Sequence, residues 1–124
     1  MVVYLAGGMR RNWRDLVRQK VPGVTYLDPC KHQLTEPQHY TTWDLAAIDR
    51  ADVVLAYMES DNPSGLGMAL EIGYARGKGR VIILADESSN RYMAIVRAAS
   101  SLWFDTLDGA IEYLARLQRA YGDD

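Results

Sequence analysis

The six-residue run Val53-Val54-Leu55-Ala56-Tyr57-Met58, introduced by Asp52, constrains the fold more than any other segment. It is too short for a buried helix and has no polar alternation, so it reads as a strand covered on both faces. Strands of that kind belong to parallel sheets packed between helices. Other segments repeat the theme. Val2 to Ala6 is an apolar run closed by Gly7-Gly8, Val24 to Leu27 ends at Asp28-Pro29, Val81 to Ala85 is a further buried run, and Leu102-Trp103-Phe104 is a last short one. Between them lie segments of helical spacing: Asn12 to Lys20, a helix capped by Thr42 carrying Trp43 to Ile48, Leu66 to Arg76 ended by Gly77 and Gly79, Tyr92 to Ala99, and Leu107 to Tyr121. Cys30 to Tyr40 is polar, contains Pro37 and lacks a period, so it is expected to be a loop.

Strict alternation of strand and helix predicts an α/β three-layer sandwich with a five-stranded parallel sheet and right-handed crossovers. A chain of 124 residues without repeats or linkers fits one domain, residues 1–124. In such a fold ligands meet the carboxyl ends of the strands. Topology therefore points Gly7 to Arg10, the helix near Asp44, and Ser60 to Gly67 at one site.

Charge and targeting signals exclude several classes. The net charge of -2 and the scattered basic residues argue against a nucleic-acid groove or a membrane-surface patch. No apolar run has the length of a membrane span, and the N-terminus lacks the pattern of a signal peptide. The lone Cys30 has no partner for an internal disulfide, which favours a reducing compartment and a cytoplasmic location. Cys30, His32 and His39 do not have the spacing of a common zinc site, so no metal is expected. Trp13, Trp43 and Trp103 fall in predicted elements and are expected in the core.

Three motifs remain that can carry chemistry. Tyr4-Leu5-Ala6-Gly7-Gly8-Met9 ends the first strand with paired glycines, which suit a sharp turn or a close approach to a ligand, but equally an ordinary strand–helix connection. Asp44 sits ahead of the third strand, where it is either functional or simply a first-turn carboxylate. Asn62-Pro63-Ser64-Gly65-Leu66-Gly67 opens a helix, and Glu71 follows amid Met68, Ala69, Leu70, Ile72 and Ala75. A carboxylate in so apolar a stretch is costly unless it is paired, solvent-facing or used. The glycine turn lacks the lysine of a phosphate-binding P-loop, and no Gly-x-Ser-x-Gly elbow exists.

Taken in order from residue 2 to 85, these motifs resemble the nucleoside 2-deoxyribosyltransferase superfamily, which also contains 2'-deoxynucleoside 5'-phosphate N-hydrolases and CMP N-glycosidases. Glu71-Ile72-Gly73-Tyr74-Ala75 is the most specific part of the likeness. The resemblance implies a flavodoxin-like fold and a cofactor-free enzyme of nucleotide salvage. It implies Glu71 as nucleophile, Asp44 as a carboxylate contacting the sugar or protonating the departing base, and Tyr4 as support for the glutamate. It implies that Gly7, Gly8 and Met9 line the sugar pocket and that Ser64 and Gly65 lie near the 5' end of the sugar. It also implies a homo-oligomer.

The chain departs from the phosphate-hydrolase branch in two places: the spacing from Ser64 to Glu71 is longer by one residue, and no serine near Met93 matches a second phosphate contact. The tail Tyr121-Gly122-Asp123-Asp124 matches no base-contacting residue of a neighbouring subunit. The residues support base exchange, hydrolysis of nucleosides or their monophosphates, or non-catalytic nucleotide binding. A flavin domain of the same topology would need a Ser/Thr-rich loop after the first strand, which Gly7-Gly8-Met9-Arg10 is not.

Overall fold

Alternate residues of the central strands face opposite helical layers, and this period of two explains where each core side chain of the sheet goes. In the computed structural model, which describes residues 1–9 and 12–122, Tyr4, Ala6, Val54, Ala56, Met58, Ile82 and Leu84 form one buried face. Val3, Leu5, Val53, Leu55, Tyr57, Ile83 and Ala85 form the other. The strands are β1 (Val2–Gly7), β2 (Thr25–Leu27), β3 (Val53–Met58), β4 (Val81–Asp86) and β5 (Leu102–Phe104). They make one five-stranded sheet of order β2-β1-β3-β4-β5, with all neighbours parallel. This is the flavodoxin-like order, with its switch point between β1 and β3. Every residue of β3 is buried, as an uninterrupted apolar run requires of a central parallel strand.

The helices are α1 (Trp13–Lys20), α2 (Pro37–Arg50), α3 (Leu66–Gly77), α4 (Met93–Ala99) and α5 (Leu107–Gly122). α1 and α5 cover the Val3 face through Trp13, Val17, Ile111 and Leu114. α2, α3 and α4 cover the Tyr4 face through Ala47, Ile48, Met68, Ile72 and Val96. Among the described residues no helix is long and apolar enough to cross a membrane.

Two expectations need correction. The segment Cys30 to Tyr40 is not a continuous loop: Pro29–Lys31 is a 3-10 turn, and α2 starts at Pro37 rather than after Thr42. Proline here starts a helix, because at its first position the missing N–H is unneeded and the fixed φ is already helical. Thr42 caps nothing; its hydroxyl donates to the Gln38 carbonyl one turn back at 2.6 Å. Asp44 therefore stands in the middle of α2, where the first-turn reading does not apply. Trp103 is also not a core residue. It lies on the edge strand β5, is 47% exposed, and carries the Arg97 guanidinium on its ring at 4.9 Å.

Candidate functional site

Tyr4 is the largest side chain that β1 directs to the α2/α3 face, and it is fully buried. Its hydroxyl donates to Glu71 Oε2 on α3 at 2.7 Å. Tyr57 on β3 points to the opposite layer, where its hydroxyl donates to Glu87 at 2.6 Å. The strand period thus decides which tyrosine reaches the glutamate. Asp44, projecting from α2, completes the group.

Three unlike groups share one proton economy. Burial pushes the Glu71 carboxyl up; the Tyr4 hydrogen bond opposes this, and the charge of Asp44 together with a hydrogen bond that the Glu71 carboxyl donates to it adds to the rise, so Glu71 is raised to about 8. Burial, then the charge and hydrogen bond of Glu71, raise the Tyr4 phenol far above its ordinary value, so it stays a donor. Near neutral pH the Glu71 carboxyl therefore holds a proton, because burial and the adjacent Asp44 disfavour its charged form.

These groups line a cleft of about 350 Å³ at the carboxyl edge of the sheet. Gly7 and Met9 after β1 form one wall, and Pro29, His32 and Leu34 after β2 form a second. Tyr40 and Asp44 from α2 face Gly67, Met68 and Glu71 from α3. A larger cavity of about 410 Å³ lies at the opposite edge, by Met1, Asp52, Arg80 and Tyr121, and among the described residues gathers no carboxyl pair. Among the described residues no three His, Cys, Asp or Glu side chains cluster as a metal site would require.

The structure brings together Tyr4, Asp44, Glu71, Gly7 and Met9. It places Gly8, Ser64 and Gly65 off the cleft wall. Gly8 offers its carbonyl to Trp13 Nε1 at 3.0 Å and to Arg14 at 2.9 Å. Ser64 is exposed and accepts from the Leu66 N–H at 3.2 Å. Gly65 caps α3 at φ 71°, a left-handed conformation that glycine adopts freely, and a Cβ there would come within 2.9 Å of Met58 Sδ. From this helix the cleft is instead lined by Gly67 and Met68. Arg10, Asp123 and Asp124 lie outside the described residues.

Several side chains escaped the sequence reading. Arg14 is buried and donates to the carbonyls of Leu5, Gly7 and Gly8, bracing the turn after β1. It also pairs with buried Asp28 at 3.5 Å, which ties that turn to the start of the next cleft wall. Burial raises the Asp28 carboxyl, but the Arg18 hydrogen bond and the Cys30 N–H outweigh it and hold the group below its ordinary value. The only sequence signal for Arg14 is its place three residues before Val17, on the buried side of α1. His32, in the segment expected to be a loop, has a side chain only 7% exposed and approaches Asp44. Its irregular segment offers no period from which this could be read.

Comparisons with known proteins bear on the family and the fold. The profile of the family described as "Nucleoside 2-deoxyribosyltransferase like" matches residues 1–89. No curated protein matches the chain by sequence. Among solved structures, a 2-deoxyribosyltransferase from Bacillus psychrosaccharolyticus superposes with a TM-score of 0.74 at 20% identity, covering 91% of this chain and 92% of the other. The 2-deoxyribosyltransferase of Leishmania mexicana gives 0.70 at 20% identity, over 93% and 97%. The CMP N-glycosidase of Clostridium botulinum gives 0.70 at 20% identity, over 94% and 99%. At such identities the likeness establishes the fold.

Proposed function

With this chain belonging to the nucleoside 2-deoxyribosyltransferase-like family, we propose that it cleaves the N-glycosidic bond of a nucleoside or deoxynucleoside and transfers the sugar to another base. The observation that supports this best is the Tyr4–Glu71 hydrogen bond of 2.7 Å, with Asp44 beside it in the same cleft. In this reading Glu71 carboxylate oxygen attacks C1' as the C1'–N bond breaks, through a transition state with oxocarbenium character. The bond electrons leave with the base. The proton held by the Glu71 carboxyl passes across the shared hydrogen bond to Asp44 as Glu71 attacks, and Asp44 delivers it to the departing base. A second base then attacks C1', releases Glu71 as carboxylate, and returns a proton to Asp44.

Tyr4 keeps one Glu71 oxygen directed and partly neutralises it without competing as a nucleophile. Gly7 and Met9 approach the sugar, and Tyr40, Leu34 and Pro29 supply an apolar wall suited to a base. The chemistry requires only side chains. We place the enzyme in the cytoplasm, in nucleotide salvage, as a homo-oligomer that covers the exposed Leu66, Leu70 and Ile95 of α3 and α4.

The test is incubation with 2'-deoxyadenosine, 2'-deoxycytidine, 2'-deoxyguanosine and thymidine, their ribose counterparts and their 5'-monophosphates, each with and without adenine or cytosine as acceptor. Chromatography then separates free from exchanged bases. Base exchange supports transfer. Release of base that is indifferent to acceptor would make the protein a hydrolase, and binding without any turnover would make it a nucleotide-binding module.

A further inference from the structure

His32 lies in an irregular segment between β2 and α2, yet its ring is held from three sides. The Leu34 N–H points at His32 Nδ1 at 2.9 Å. The ring stands edge-on to Trp43, with centroids 4.8 Å apart and planes at 66°. Its Nε2 faces Asp44 Oδ1 at 3.3 Å, with 7% of the His32 side chain and 15% of the Asp44 side chain exposed. The intervening Gln33 has φ 56°, the one non-glycine residue in the left-handed region among those described. That conformation is strained for a residue with a Cβ. It turns the chain so that the Leu34 N–H comes back onto the ring of His32.

These contacts determine the tautomer. A backbone N–H can only donate, so Nδ1 accepts and the ring proton sits on Nε2. Nε2 therefore donates to Asp44. We propose that His32 is a positioning residue of the reaction: it acts through Asp44, holding Oδ1 so that the remaining oxygen faces Glu71 and the cleft. Leu34 anchors the ring and also lines the cleft, so the base-side wall and the orientation of the acid are set by one short segment. The catalytic part of this inference rests on the proposed function; the hydrogen-bond arrangement does not.

Two conservative variants separate this role from simple loop anchoring. In His32→Gln the terminal amide takes the place of Nε2–H and keeps the donor to Asp44, while the acceptor for Leu34 is lost. In His32→Asn the amide oxygen takes the place of Nδ1 and keeps Leu34, while the donor to Asp44 is lost. Kinetics use the donor of the nucleoside panel with the highest turnover. His32→Gln is expected to retain kcat within about threefold, and His32→Asn to lose about tenfold or more in kcat with a smaller change in KM. Equal losses, or Asn outperforming Gln, would overturn the proposal. Independently of any substrate, 15N NMR of the histidine ring should show the proton on Nε2, and Asp44→Asn should shift Nε2 more than Nδ1. A proton on Nδ1, or no response to Asp44→Asn, would overturn it even in an active enzyme. If no nucleoside is turned over, the nucleoside reading fails, and the NMR result still decides whether His32 holds Asp44.

Discussion

Replacing Glu71 by glutamine should remove activity and at the same time stabilise the protein in alkaline solution. The Glu71 carboxyl is raised from its ordinary 4.5 to about 8, first by burial and, against the Tyr4 hydrogen bond, by Asp44. Between those values the native state binds more protons than the unfolded chain does. Stability therefore falls as pH rises through this window. The contribution is fully present below about 4.5 and lost by pH values above 8. Were the whole difference transmitted to unfolding, it would be worth about 5 kcal/mol. The cleft is open to solvent, and water and relaxation reduce this to about 1–2 kcal/mol. Glutamine still accepts from the Tyr4 hydroxyl but never ionises. The difference in unfolding free energy between Glu71→Gln and the native protein should thus grow in favour of the variant from pH 5 to pH 9, measured by urea denaturation at each pH. Turnover should fall by about a thousandfold or more, because the amide cannot stabilise the oxocarbenium charge. A stability difference that did not change with pH would refute the burial argument, and near-normal turnover would refute the nucleophile.

Neighbouring substitutions should move the Glu71 titration, followed by 13C NMR of its carboxyl, in opposite directions. Tyr4→Phe removes a hydrogen bond that lowers the Glu71 carboxyl, so the midpoint should rise, with kcat reduced about tenfold. Asp44→Asn removes a charge that raises it, so the midpoint should fall, with a loss of about tenfold to a hundredfold if Asp44 supplies the proton. Gly7 has φ 143°, and an added Cβ would lie 2.5 Å from the Tyr57 carbonyl oxygen, so Gly7→Ala should destabilise by about 2 kcal/mol or more in thermal unfolding. Leu70→Glu, at a side chain 57% exposed on α3, should dissociate the proposed homo-oligomer in light scattering without unfolding the monomer, and a native protein that is already monomeric would refute that proposal.

The strands and their layers were legible because burial on both faces writes an uninterrupted apolar run, and β3 is such a run from Val53 to Met58. Glu71 stood out by the same physics, since an ionisable group among Met68, Leu70 and Ile72 needs a partner or a purpose. That it meets Tyr4 across 67 positions of sequence was implied by family resemblance; the alternation of β1 and the packing of α3 on that face bring the two within 2.7 Å. The start of α2 was misread because proline ends a helix in its interior but opens one at its first position, and composition does not distinguish the two. Ser64 and Gly65 belong to the turn that starts α3, while the cleft is lined one step further on by Gly67 and Met68. The roles of His32 and Arg14 could be found only in three dimensions. The first sits in a segment with no period, and the second is a charged residue buried by carbonyls and a carboxylate brought to it from β1 and the end of β2. Periodicity records which face of an element is dry. Partners across elements are decided by packing, and the site is made of those partners.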